Sequence, residues 1–185
     1  MNASPPRLVV LDRDGVINED SDAFVKSAEE WLPLPGSIEA IARLSNSGFT
    51  VTVATNQSGI ARGLFSVDAL DAMHAKLTGL VEAAGGRIGR IVYCPDGPDD
   101  VSECRKPKPG MFIELGEHYG VSLAGVPAIG DSLRDLEAAA AVGARPILVR
   151  TGKGLKTERS LSGPLASVDV FDNLAAAAEH LIARS

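Results

Sequence analysis

The sequence predicts an α/β protein, a doubly wound and mostly parallel sheet with helices on both faces and only loop-sized insertions above it. Two patterns lead there. Short apolar runs of strand length alternate with segments of helical period along the chain. Those runs are continuously apolar rather than alternating, as suits strands covered on both faces. Length agrees: 185 residues, at about 150 per domain, give one domain that buries roughly 70% of its unfolded surface without staples.

The elements can be taken in order. Leu8-Val9-Val10-Leu11 is a short buried strand. Ile38, Ile41 and Leu44 keep a helical period, opened by Pro35-Gly36-Ser37 and stopped at Gly48. Phe49 to Ala54 reads as a second strand. Ser66 caps a long helix with Leu70, Met73, Leu77, Leu80, Val81 and Ala84 on its apolar face, and Gly85-Gly86 ends it. Ile88 to Tyr93 is a third strand, and Pro109-Gly110 opens a helix carrying Met111, Leu115 and Tyr119. Val126 to Ile129 is a fourth strand, succeeded by a helix with Leu133, Leu136 and Ala140 that ends at Gly143. Ile147-Leu148-Val149 makes a fifth strand, and a closing helix starts near Asn173 with Leu174, Leu181 and Ile182 inward. Loop insertions fall at about 18–35 and 94–109, each after a strand, so both overhang one edge of the sheet.

Composition narrows the function classes. Lys plus Arg is 18 and Asp plus Glu is 24, a net charge of −6. That balance carries no electrostatic footprint for nucleic acid or an anionic membrane. Two cysteines do not make a disulfide scaffold and suit a reducing compartment. Met1-Asn2-Ala3-Ser4-Pro5-Pro6 lacks a signal-type apolar run, and no stretch reaches membrane-spanning length, so a soluble, cytoplasmic protein is expected. An aromatic content of 4% hints against a large apolar partner surface, and a monomer is expected.

In open parallel sheets ligands bind beyond the carboxyl ends of the strands, near a switch in strand order. The strand ends here carry chemistry. Asp12-Arg13-Asp14-Gly15 comes after the first strand, Thr55-Asn56-Gln57-Ser58-Gly59 after the second, Arg105-Lys106-Pro107 after the third and a loop, and Gly130-Asp131-Ser132, with Asp135 one turn on, after the fourth. Asp-x-Asp after a strand is by itself an ordinary turn or cap. Four such segments in this order are not. Several carboxylates converging on one edge need a cation, and hard oxygen ligands suit Mg²⁺.

These segments resemble the four motifs of the haloacid dehalogenase superfamily of phosphohydrolases, across nearly the whole chain. The runs at 12–18 (DRDGVIN), 55–63 (TNQSGIARG), 104–111 (CRKPKPGM) and 130–135 (GDSLRD) further resemble the D-glycero-D-manno-heptose 1,7-bisphosphate 7-phosphatase family. The resemblance implies a Rossmann-like single phosphatase domain over 1–185 that acts on a small sugar phosphate. Its products would feed nucleotide-activated heptose and the lipopolysaccharide core. It also implies roles. Asp12 would be the nucleophile, and Asp14 the acid that protonates the leaving alkoxide and then the base that activates water. Mg²⁺ would be held by Asp12, Asp131 and the carbonyl of Asp14. Lys106 and Thr55 would stabilise the transferring oxygens, with Asp135 orienting the metal shell or Lys106, or serving only as an exposed first-turn acid of its helix. Arg105 is implied to take a second phosphate, against a surface ion pair with nearby acids. Asn56, Gln57 and Ser58 are candidates for substrate contact, as are Asn18 and Asp20 in the loop after the first motif.

The family carries a structural zinc on a Cys-x-His…Cys-x-Cys pattern, for which this chain offers Cys94-Pro95-Asp96 and Ser102-Glu103-Cys104. With Asp96 for His and Ser102 for Cys, zinc is not expected, and Cys94 and Cys104 read as surviving thiols. Ser132 stands where the family places a Lys, so one phosphate contact is either missing or supplied by Arg134 or Lys153. His74, His118 and His180 all fall in helical segments and read as partly exposed helix residues. Histidinol-phosphate phosphatase is the near alternative. A polynucleotide 3′-phosphatase is disfavoured by net charge, and an inactive binding protein on this fold is disfavoured by the retained Asp12, Asp14 and Asp131.

Overall fold

The computed structural model describes residues 6–184; the reading of residues 1–5 lies outside them. The order is β1 (Arg7–Leu11), α1 (Ser37–Asn46), β2 (Phe49–Asn56), α2 (Val67–Ala83), β3 (Ile91–Cys94), α3 (Gly110–Tyr119), β4 (Pro127–Gly130), α4 (Leu133–Ala141), β5 (Arg145–Val149), α5 (Gly154–Glu158), β6 (Asp169–Phe171) and α6 (Leu174–Ala183). The sheet runs β3-β2-β1-β4-β5-β6, and every pairing is parallel. The sequence gives no sign of α5 or β6. β6 has three residues, none fully buried, too short to show either strand pattern.

Alternate side chains of β1 divide the core. Val9 and Leu11 face α1, α2 and α6, packing with Ile41, Leu77 and Ala177. Leu8 and Val10 face α3 and α4, packing with Leu115 and Ala138. Local signals set the helix ends. Ser66 Oγ accepts from the Ala69 N–H and Asn173 Oδ1 from the Ala176 N–H, each filling one orphan donor of a first turn. Gly120 closes α3 at φ 64°, a backbone region that costs other residues.

The chain winds outward from β1 in both directions, so the strand order reverses between β1 and β4. Leu11 pairs with Ile129, and the Asp12 N–H continues the ladder to the Ile129 carbonyl at 2.9 Å. The residues just past β1 and β4 therefore leave the sheet side by side. The 18–35 insertion is fastened beside this point. Trp31 is fully buried, Lys76 of α2 donates to the carbonyls of Ala28 and Trp31, and Ser37 Oγ donates to the Ile17 carbonyl.

Candidate active site

A cleft of about 240 Å³ opens at the switch point, over the ends of β1, β2 and β4. Asp12, Asp131 and Asp135 place carboxylate oxygens within 4.8 Å of one another at its floor. Burial, then Asp135, pushes Asp12 up to about 7 against the pull of Lys106. Burial, then Asp12 and Asp135, pushes Asp131 up to about 8. Lys106, 3% exposed, reaches into this group. Its ammonium donates to Asp12 Oδ1 at 2.9 Å and the Ala54 carbonyl at 2.8 Å, and pairs with Asp135 Oδ1 at 2.6 Å. All three of its hydrogens are spent, and the two carboxylates hold its pKa above the usual lysine range against burial.

Asp135, for which the sequence left an exposed helix acid open, is buried. It accepts from the N–H and hydroxyl of Ser132 at 3.0 and 2.7 Å, so it caps α4 and braces Lys106 at once. Gly130 is required there because a Cβ would collide with the Asp135 side chain. Gly15 and Gly152 close on Asp131 from two sides, where a Cβ at either would strike its Oδ2. That oxygen accepts the Lys153 N–H at 2.8 Å.

Asp14 stands on the cleft wall in a ring of donors. Arg13 donates through Nε and Nη2, Asn18 Nδ2 reaches Oδ1 at 2.9 Å, and Gln57 Nε2 reaches Oδ2 at 2.8 Å. Burial raises its pKa, but Arg13 and these hydrogen bonds outweigh burial and hold the carboxyl below its ordinary range. The second Gln57 hydrogen goes to Thr55 Oγ1 at 2.9 Å. Because Thr55 accepts there, its own proton is left to donate into the cleft.

The candidate substrate residues divide. Asn18 is fully buried beneath Asp14, its two amide hydrogens on Asp14 and the Glu19 carbonyl, so it is not on the cleft wall. Asn56 brackets the Lys106 backbone, donating to its carbonyl at 3.1 Å and accepting its N–H at 3.0 Å. Ser58 lines the cleft, as does Asp20, whose carboxylate pairs with Lys153 at 2.9 Å. Arg105, half-buried, and Arg62 and Arg134, both exposed, line the solvent side of the cleft close enough to act on one another. Burial, then Arg134 and Arg62, lowers the pKa of Arg105, and its Nη1 donates to the Asp96 carbonyl at 3.0 Å. Arg62 also lies 5.5 Å from the centre of the Phe24 ring.

The loop before Arg105 corrects one expectation. Cys94 and Cys104 are not thiols but a disulfide, with Cα atoms 5.5 Å apart. The end of β3 and the return of the loop bring them together, within the reach such a bond needs. Ser102 Oγ lies 3.4 Å from each sulfur and Asp96 Oδ2 lies 3.6 and 3.4 Å away. The four positions of the zinc pattern thus converge, but the bonded sulfurs offer no thiolate to a metal.

Neither Arg13 nor His74 is among the site residues read from the sequence. Arg13 is fully buried, and its Nη1 lies 3.3 Å from His74 Nε2. Burial, then Arg13, lowers His74 to about 4 from 6.5. Between those values the unfolded chain binds a proton that the folded chain refuses, so stability falls as pH drops through this window. We expect His74 to contribute a loss of at most about 3 kcal/mol between pH 7 and pH 4. Urea unfolding at both pH values checks this: His74→Leu should flatten the slope, and an unchanged slope would remove His74 as its source.

The sequence matches the family described as HAD-hydrolase-like over residues 103–177 and that described as polynucleotide kinase 3 phosphatase over residues 8–127. The second match holds the first three strand-end segments. A D-glycero-β-D-manno-heptose-1,7-bisphosphate 7-phosphatase of Pseudomonas aeruginosa is 59% identical, covering 95% of this chain and 97% of that one. Its counterpart in Bordetella bronchiseptica is 54% identical, covering 95% and 98%. The crystal structure of D,D-heptose 1,7-bisphosphate phosphatase from B. bronchiseptica, complexed with magnesium and phosphate, superposes with a TM-score of 0.93 over 97% of this chain and 99% of that one, at 53% identity. The corresponding Burkholderia thailandensis structure gives 0.74 at 46% identity, covering 95% and 98%. With such relatives matching over nearly their full length, and phosphohydrolase motifs meeting at one cleft, this chain belongs to the D-glycero-β-D-manno-heptose-1,7-bisphosphate 7-phosphatase family of haloacid dehalogenase-like hydrolases.

Proposed function

We propose that the protein removes the C7 phosphate of D-glycero-β-D-manno-heptose 1,7-bisphosphate through an aspartyl-phosphate, in the supply of activated heptose for a surface glycan. One observation carries this reading: the cleft has two poles. Carboxylates crowd around Lys106 at its floor, and three guanidiniums line its solvent side. A substrate with one phosphate to transfer and a second to anchor matches both.

The floor suits Mg²⁺. Its donors are hard carboxylate oxygens, and Asp12 and Asp131 are both pushed up in pKa by burial and by neighbouring carboxylates, the mark of a cage short of positive charge. Asp12 and Asp131 would hold the ion, with the backbone carbonyl of Asp14, since the Asp14 carboxylate is committed to Arg13, Asn18 and Gln57. When bound, the ion screens the carboxylates from the incoming phosphate and polarises a phosphoryl oxygen.

The chain's own groups do the rest. Asp12, oriented by Lys106, attacks phosphorus as the P–O ester bond breaks; the substrate's phosphate dianion offsets the pull of Arg13 on Asp14, which takes up a proton on substrate binding and gives it to the leaving oxygen. Water then attacks the aspartyl-phosphate, gives its proton to Asp14 and releases inorganic phosphate, restoring Asp12. Thr55 donates its hydroxyl to the transferring oxygens. Arg105 takes the second phosphate with Arg62 and Arg134, which cover for Ser132 where the family has lysine.

A phosphate-release panel tests this on the heptose bisphosphate anomers, histidinol phosphate and p-nitrophenyl phosphate, with and without EDTA. The heptose bisphosphate is expected to lead by at least about tenfold in kcat/KM, with activity lost in EDTA and restored by Mg²⁺. Arg105→Ala should cost about a hundredfold on the bisphosphate and little on p-nitrophenyl phosphate, because only the former has a distal anion. Equal losses on both would remove Arg105 as an anchor, and a lead by histidinol phosphate would overturn the substrate.

A further inference from the structure

We propose that His74 is a positioning residue for the acid–base step, acting on Asp14 through the buried guanidinium of Arg13. The proposal rests on the phosphatase reading, with Asp14 as acid and base.

The geometry is a three-member chain. Arg13 donates Nε and Nη2 to Asp14, at 3.2 Å and 2.9 Å to Oδ1, with Nη2 also 3.2 Å from Oδ2. At its other end Nη1 reaches His74 Nε2 at 3.3 Å. A guanidinium has hydrogens to give and no lone pair to receive with. His74 must therefore present the bare lone pair of Nε2, which makes the ring neutral with its proton on Nδ1. Its depressed basicity agrees with this.

The arrangement fixes Arg13 from both sides. The charged groups acting on the ring are Arg13 and Asp14, and the Tyr93 ring of β3 lies 6.3 Å away. His74 is carried by α2, which is seated in the core by Leu70, Met73, Leu77 and Val81, so its nitrogen is a rigid stop. Asp14 has to meet the leaving oxygen and later the attacking water from one place on the cleft wall. Arg13 supplies three of the five side-chain hydrogen bonds on the Asp14 carboxylate, beside one each from Asn18 and Gln57, and the guanidinium loses its stop at the far end once Nη1 loses its acceptor. A misplacement of about 1 Å in a proton-transfer group is costly in rate. Nothing in the strand-end motifs signals His74, because it comes from a helix outside them.

The leaving group provides the test. kcat/KM reports steps up to transfer of the phosphoryl group to Asp12. An alkoxide needs the Asp14 proton in that step, whereas p-nitrophenolate departs as the anion. His74→Leu should lower kcat/KM for a simple alkyl phosphate, glycerol 2-phosphate, and for heptose bisphosphate by about tenfold, a fraction of what general acid catalysis supplies. The loss on p-nitrophenyl phosphate should stay under about twofold. His74→Gln, which can offer a carbonyl oxygen to Nη1, should recover most of the loss. Equal losses on alkyl and aryl substrates, or no loss on either, would overturn the proposal. His74→Phe serves if His74→Leu does not fold; if neither folds while His74→Gln does, His74 is a determinant of folding and the proposal fails. Asp14→Asn separates this from the reading beneath it. That variant should show the same alkyl bias more strongly. A bias in Asp14→Asn without one in His74 variants defeats only the present inference, whereas no bias in Asp14→Asn defeats the assignment of Asp14 itself.

Discussion

Asp12→Asn is expected to abolish turnover, by about 10⁴-fold or more in kcat, on every phosphate monoester tried. An amide cannot form the acyl phosphate, and no neighbour replaces it, since Asp131 is held by the Lys153 N–H and Asp135 by Ser132 and Lys106. The fold should survive. Asp12 raises the pKa of Asp131, so removing its charge relieves repulsion, and Lys106 keeps Asp135 and the Ala54 carbonyl. The urea midpoint should therefore equal or exceed that of the wild type in metal-free buffer. Appreciable turnover in a correctly folded variant would end the nucleophile assignment.

Lys106→Met is expected to damage both activity and stability. The ammonium pairs with Asp12 and Asp135 in a buried place, so its loss leaves two carboxylates facing each other without a counter-charge. Breaking such a pair from one side costs about 3–5 kcal/mol. We place the loss at the lower end of that range because Asp135 keeps both Ser132 donors. Turnover should fall about a thousandfold, as charge near the transferring oxygens disappears. Denaturant unfolding and phosphate release read the two effects separately. Full activity with reduced stability would make Lys106 a structural counter-ion alone.

The sheet and the catalytic floor are legible in the sequence for a common reason. Buried parallel strands are written as apolar runs such as Leu8 to Leu11, and the residues after each run stand at the ligand-binding edge. β6 is not legible, because Asp169-Val170-Phe171 borrows its strand character from pairing with β5. The direction of polar side chains is also hidden. Nothing in the string at 55–58 says that Gln57 turns in towards Asp14 while Asn56 grips the backbone of Lys106. The two half-cystines are written plainly, but their bonding depends on how the 94–109 loop returns. His74 has one signal in the sequence: it lies four residues after Leu70 and next to Met73, on the inward side of α2.

The strand order has a bearing on biosynthesis. Asp12 leaves the ribosome well before Asp131, because β4, the neighbour of β1 that delivers Asp131, is made after β2 and β3. Until then one flank of β1 has no partner and the acidic floor is unfinished. A growing polypeptide can therefore pair β1 with β2 early, yet it acquires competence only when its second half docks. Phosphate release timed against translation would rise late and in a single step.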